Sequence, residues 1–222
     1  MLFCMVLIMP SEEYETVNYD IPNMCDYYTH IKGNGEDKVT LMVYMVGSDL
    51  ESDGGAASED IAEMTAANAD NINITLQTGG AAAWENASIS DGKTERHIIK
   101  NGELQNVENL GEAQMTSPNT LTDFIKWSAS NYPADRYELV LWNHGGGTAL
   151  GFGYDEMYPD DMLSLSQIGN ALSYSGIKFD IVGFDACLMG TIETAYMLEP
   201  YADYLVASEE YEPGTGWYYS EW

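Results

Sequence analysis

The sequence predicts an α/β protein of three layers, a mostly parallel central sheet of about six strands with helices on both faces. Continuous apolar and β-branched runs recur at 39–46, 73–77, 139–142, 179–184 and 204–208, each short enough for a strand buried on both sides. Stretches with helical spacing alternate with these runs, the order that builds parallel sheets. The last observation is a strand–helix–strand unit, 139–187, whose two strands end on the same edge of the sheet. That edge is where open α/β sheets carry their sites. One strand delivers an imidazole there, His144, and the other a thiol, Cys187.

The elements follow in order. Residues 1–9 are apolar but short and lack a basic leading segment, so the tail of a secretion leader and a plain buried strand both fit. Residues 10–37 are polar and contain Pro10, Pro22, Gly33 and Gly35; with the leader they form an arm over 1–37 ahead of a domain over 38–222. Strand 39–46 is followed by a loop, 47–55, and a helix over 58–68 with Ser58 as N-cap and acids in its first turn. Strand 73–77 ends at Gly79-Gly80. Residues 96–100 and 102–104, joined at Asn101-Gly102, resemble a small antiparallel hairpin in which His97 is an exposed strand residue. His30 stands in a segment without other motifs.

Ser117-Pro118 opens the next helix, with Pro at its first position. Leu121, Phe124, Ile125 and Ser128 share one face, Trp127 packs in the core, and Asn131-Tyr-Pro133 stops the run. In the crossover helix Leu165, Ile168, Ala171 and Leu172 share a face, and Ser164 with Gln167 makes a capping box. After the thiol, Leu188, Ile192, Ala195 and Tyr196 trace a helical face that ends at Pro200.

Composition narrows the function. The formal charge of −28 comes from 36 acidic against 8 basic residues. Nucleic acid is excluded as a partner, because phosphate binding needs clustered Lys and Arg, whereas a cationic substrate would be drawn in. The same acidity also serves solubility. No run approaches the ~18 apolar residues of a membrane span, so no integral membrane segment is expected. Of the three cysteines, Cys4 and Cys25 could pair in an oxidising compartment and leave Cys187 free. The three cysteines and three histidines lack zinc-ligand spacing, and no metal site is assigned.

A thiol near pKa 8.5 is little ionised at neutral pH, so a nucleophilic cysteine needs help. Placed where a strand turns into a helix, Cys187 would have the N-terminal dipole to favour its thiolate. His144 would protonate a leaving amine and then activate water. Gly145, lacking a side chain, would let a backbone N–H approach a developing oxyanion beside the N–H of Cys187; one such donor is worth about 3 kcal/mol. An α/β-hydrolase or amidotransferase arrangement needs Gly two residues either side of the nucleophile, and Asp185 and Met189 stand there.

Five ordered motifs carry a resemblance: Tyr44-Met-Val-Gly-Ser-Asp-Leu-Glu-Ser52, Tyr132-Pro-Ala-Asp-Arg-Tyr137, Trp142-Asn-His-Gly-Gly-Gly147, Phe184-Asp-Ala-Cys-Leu-Met189 and Ser208-Glu-Glu-Tyr-Glu-Pro-Gly-Thr-Gly-Trp217. Over roughly 39–222 the chain resembles clostripain-like cysteine peptidases, which share a His-Gly and Ala-Cys signature with caspases, gingipains and legumains. The resemblance implies a caspase-like αβα sandwich and a Cys187–His144 dyad. It also implies that Asp185 lies in the pocket for the side chain on the acyl side of the cut, giving cleavage after Arg and also Lys. A carboxylate there favours Arg through a bidentate fork. Glu209 or Glu210 is expected to add a second carboxylate. Peptide or protein substrates with exposed basic residues are the partners expected, and a secreted or cell-surface bacterial setting is the localisation.

Relatives mature by cutting themselves between the histidine and the cysteine. Here 147–162 contains neither Lys nor Arg, and Lys178 is the one basic residue over 145–179, so no self-processing is expected in that loop. The chemistry requires no cofactor. Calcium is associated with the family, and Asp49, Glu51, Asp53, Asp155, Glu156, Asp160 and Asp161 offer oxygen ligands. None falls in a twelve-residue calcium loop, and solvated loop acids are the expectation. Relatives continue beyond the last motif, so the sequence reads as shortened at its C-terminus. The alternative reading is a catalytically inactive or truncated caspase-like binding module.

Overall fold

A computed structural model describes residues 35–67 and 71–221, together with the backbone of 5–7. Cys4, Cys25 and His30, on which expectations had been set, lie outside the described residues. Among the described residues eight strands form one sheet: β1 (Met5–Leu7), β2 (Val39–Val46), β3 (Ile72–Gly79), β4 (Thr94–Lys100), β5 (Glu103–Gly111), β6 (Arg136–Trp142), β7 (Phe179–Asp185) and β8 (Ala202–Val206). Their order across the sheet is β1-β8-β7-β6-β2-β3-β4-β5. The five strands from β8 to β3 are parallel, and the antiparallel pairings lie at the two flanks. The six expected strands thus become eight, because the hairpin is fully incorporated and Met5–Leu7 adds an edge strand.

The helices are α1 (Ser48–Ser52), α2 (Ala56–Ala66), α3 (Pro118–Asn131), α4 (Gly147–Leu150), α5 (Leu165–Ser175) and α6 (Ile192–Leu198). Strand alternation explains why β2 reads as one apolar run. Leu41, Val43 and Met45 point to one face with Ile61 and Met64 of α2, while Met42, Tyr44 and Val46 point to the other. There they meet Leu121, Phe124 and Ile125 of α3 and Ile168, Ala171 and Leu172 of α5. A strand covered on both faces has no polar side to display.

Several local expectations need correction. Gly55, not Ser58, is the N-cap of α2; the Ser58 N–H and hydroxyl both bond the Glu51 carboxylate, at 2.8 and 2.5 Å. The 47–55 loop contains α1. His97 is fully buried rather than exposed, with Nε2 2.9 Å from Thr78 Oγ1, and burial lowers its pKa to about 4. The helix after the thiol begins only at Ile192, capped by the Thr191 hydroxyl. Its inward residues are Thr194, Ala195 and Leu198, and Ile192 and Tyr196 face solvent.

Other elements match. Ser164 and Gln167 complete both halves of the capping box on α5. Asn101 and Gly102 both take left-handed backbone angles, φ 56° and 73°, as a two-residue hairpin turn requires. After β2 the chain crosses one face through α2 to reach β3. From β6 it crosses the other face through α5 to reach β7. The crossovers therefore diverge between β2 and β6, the switch point at whose carboxyl edge open α/β sheets place their sites.

Candidate active site

Parallel register places the two reactive side chains. Trp142 of β6 stands opposite Asp185 of β7, and the Asn143 N–H continues the ladder to the Asp185 carbonyl at 3.2 Å. His144 and Cys187 thus follow the ends of neighbouring strands at one edge of the sheet. The sheet topology brings them there as the sequence requires.

Asn143 holds the exit of β6. Its side chain is buried and donates to the Val46 carbonyl and to Ser48 Oγ, the latter at 2.8 Å. Its Oδ1 accepts the Tyr154 N–H. These bonds tie the histidine turn to the end of β2. His144 Nε2 then lies 2.8 Å from Asp49 Oδ1, and the Tyr154 ring stands 6.5 Å from the imidazole. Burial alone would raise the Asp49 pKa, but the hydrogen bond and charge of His144, with help from Ser48, hold it below the usual value. An ionised Asp49 requires the proton on Nε2 and leaves Nδ1 as the basic nitrogen. Asp49 had been weighed only as a calcium ligand; its role was hidden because strand order, not spacing, makes β2 the neighbour of β6.

Gly145 is required by close approach. A Cβ there would overlap the Cys187 carbonyl oxygen and crowd Met189. The absent side chain therefore makes room for the backbone of Cys187. Cys187 is half-buried and free. It occupies a turn rather than a helix start, and the following Leu188 has a φ of 64°. Backbone bonds from Leu188 to Glu210 at 3.1 Å and from Gly190 to Ser208 at 2.7 Å stitch this turn to the 208–212 loop. In place of a helix dipole, the Glu212 N–H points at Cys187 Sγ from 3.3 Å.

Asp185 is buried. Its Oδ2 accepts from the Trp217 N–H at 3.2 Å and the Tyr219 hydroxyl at 2.8 Å. The Trp217 ring packs close to Gly183, where any side chain would strike it. Glu212 stands on the same tryptophan, its Oε1 accepting from Trp217 Nε1 at 3.3 Å. Glu209 and Glu210 are exposed on the same loop. Burial raises Asp185 and, with the charge of Asp185, raises Glu212 to about 8.

Among the described residues no group of three or more His, Cys, Asp or Glu side chains is arranged to hold a metal ion. Two of the acids weighed for calcium are internal anchors rather than solvated loop residues. Glu51 is fully buried and accepts the N–H groups of Ser58 and Glu85. Asp155, also buried, accepts those of Met115 and Met157. No helix among the described residues is long and apolar enough to cross a membrane.

Comparison with known proteins bears on the family and the fold. The sequence model of the clostripain family matches residues 43–221. Clostripain of Hathewaya histolytica is 32% identical over 225 residues, covering 85% of this chain and 42% of its own. A secreted C11 cysteine protease from Bacteroides thetaiotaomicron, solved with an irreversible peptide inhibitor, superposes with a TM-score of 0.68. It is 24% identical, over 82% of this chain and 52% of that one. An inactive zymogen C11 protease from Parabacteroides distasonis gives a TM-score of 0.62 and 26% identity, over 82% of this chain and 51% of that one. The chain therefore spans about half the length of these relatives.

Proposed function

The chain belongs to the clostripain family, and from that membership we propose that it is a cysteine endopeptidase that cuts after basic residues, Arg above Lys. The observation that carries the reading is the shared strand edge. His144 and Cys187 leave adjacent parallel strands there, with Asp49 bonded to the far side of the imidazole.

The chemistry follows from those positions. The Cys187 thiolate adds to the scissile carbonyl carbon, and the carbonyl electron pair moves onto oxygen. Backbone N–H groups of Gly145 and Cys187 are the proposed donors to that oxyanion. The imidazolium then gives its proton to the departing amine, and the C–N bond breaks to leave a thioester. Water, deprotonated by the neutral imidazole, displaces the thiol and releases the acid. Asp49 acts as a positioning residue, fixing the Nε2 proton so that Nδ1 carries the exchange.

Asp185 supplies negative charge for the residue on the acyl side of the cut, and Glu212 joins it. Peptides and proteins with exposed basic residues are the proposed substrates, met outside the cell or at its surface. The 147–162 segment is proposed to stay uncut, since it offers no basic residue. A fluorogenic Arg-amide assayed with wild type and Cys187→Ala tests the reading. Turnover by wild type and none by the variant is expected; equal signal from both removes it in favour of an inactive binding module.

A further inference from the structure

We propose that a small cavity on the edge that carries His144 and Cys187 is a subsite for the leaving-group half of the substrate. It would take an apolar side chain, the size of leucine or methionine, about four residues beyond the cut. The proposal rests on the peptidase reading, in which His144 protonates the departing amine.

Strand direction sets the place of the cavity. β2 and β3 run parallel to β6 and β7, so all four end at one edge. Because β4 runs against β3, and β5 against β4, the start of β4 and the end of β5 reach that edge too. Gly80 follows β3, Gly92 and Lys93 precede β4, and Ala113 follows β5; all four line the cavity. Another wall, Met157 and Tyr158, belongs to a segment that starts at the histidine. The Gly153 N–H bonds the His144 carbonyl at 3.0 Å, and the Glu156 N–H bonds the Gly80 carbonyl at 2.9 Å. The Tyr158 hydroxyl then bonds the Glu112 carbonyl at 3.1 Å. One short run of chain thus joins the imidazole to the cavity.

The dyad sets the direction of the substrate. Asp185 ends β7 and the 208–212 loop follows β8, so the acyl half lies on that side of Cys187. His144 serves the leaving amine, which carries the other half over β6 and onward toward β2, β3 and β4. Neighbouring strands lie about 4.8 Å apart, so about 14 Å separates the gap between β7 and β6 from that between β3 and β4. An extended peptide advances about 3.3 Å per residue, and about four residues cover that distance.

Size and lining select the occupant. The cavity holds about 120 Å³. Pockets for free small molecules begin near ~300 Å³, and a cavity of ~150 Å³ takes a benzene ring, so this one fits a single side chain. Gly80 and Gly92 present no side chain and Ala113 only a methyl group. Met157 and Tyr158 keep 48% and 37% of their surface exposed, apolar area that an entering aliphatic group would cover. Lys93 and Glu112 also line the cavity and form an ion pair at 2.9 Å. An acidic side chain would meet Glu112 and a basic one Lys93, and either would have to break the pair. An apolar side chain leaves it intact.

Internally quenched peptides with one Arg test this, a single Leu being moved through the leaving-side positions of an otherwise Ser and Gly background. The expected result is a kcat/KM roughly tenfold above that of the all-Ser peptide when Leu stands about four residues after the cut. Asp or Lys at that position should bring no gain. No gain from Leu there, or a larger one from Asp or Lys, overturns the proposal. In the Met157→Ala protein the Leu-to-Ser ratio should fall toward one, and an undiminished ratio overturns it. A general loss of activity cancels from that ratio. Should the variant fail to fold, a photo-leucine peptide bound to the Cys187→Ala protein decides. Cross-links on 92–93, 112–113 or 157–158 support the proposal, and cross-links only elsewhere overturn it. A short Arg-amide does not reach the cavity and reads catalysis alone. Its turnover without a Leu preference removes this proposal only, whereas failure to cut any Arg substrate removes the peptidase reading and this subsite with it.

Discussion

Asp49 shows how much a single side chain can change what a histidine does. Its carboxylate lies 2.8 Å from His144 Nε2, on the opposite side of the ring from the nitrogen assigned to the reaction. Both partners are partly exposed, their side chains retaining 40% and 48% of their accessible surface, so water limits the strength of the bond. Replacing Asp49 by Ala is expected to lower kcat roughly tenfold, within what general acid–base catalysis contributes, with KM little changed. Asp49→Asn should fall between the two, since its amide can still accept from Nε2. Steady-state kinetics on an Arg-amide substrate check this, and a fall confined to KM would assign Asp49 to substrate binding instead. The placement of His144 and Cys187 at one edge of the sheet was legible in the sequence because each follows the end of a strand. Asp49 and Glu212 were not, because one depends on β2 lying beside β6 and the other on how a loop folds back over the thiol.

At the level of elements, sequence reading succeeded where local signals and tertiary packing agree. Helix α5 is such a case: Ser164 Oγ accepts the Gln167 N–H at 3.3 Å and Gln167 Oε1 accepts the Ser164 N–H at 2.9 Å. Ser164→Ala should cost about 1 kcal/mol of stability, measured by urea denaturation, and no loss would mean that the cap is redundant with the packing of α5 on α3. Reading failed where a distant group claims the local signal. Ser58 has the composition of an N-cap, yet the buried Glu51 carboxylate takes both of its donors. The segment after Cys187 looked helical from its apolar spacing. Bonds from Leu188 and Gly190 to the 208–210 loop hold it as a turn instead, so the thiol is addressed by one loop amide rather than by a helix end.

The whole molecule is organised by burial of acids in a chain of net charge −28. The alternation of strands and helices made the sandwich legible, but no periodicity could reveal which carboxyls end up inside. Burial raises Asp60 and Glu212 to about 8, and Asp185, Asp155 and Glu138 are also raised. In the unfolded chain these groups lose their protons near pH 4, so above that the native state binds more protons and stability falls as pH rises. His97, held neutral with a pKa of about 4, acts oppositely but only below its unfolded value near 6.5. Between about pH 6.5 and 8.5 the carboxyls decide, and the urea midpoint of the Cys187→Ala protein should fall across that window. An unchanged or rising midpoint would show that these acids are ionised in the folded state.

The central claim is that strand topology turns Cys187 into a nucleophile that reads a basic residue. The most direct measurement is to treat the wild-type protein with an Arg peptide bearing an electrophilic ketone, digest it and locate the adduct by mass spectrometry. The account predicts one modified residue, Cys187, and little modification when norleucine replaces Arg. An unmodified Cys187, or equal labelling by both peptides, would contradict it.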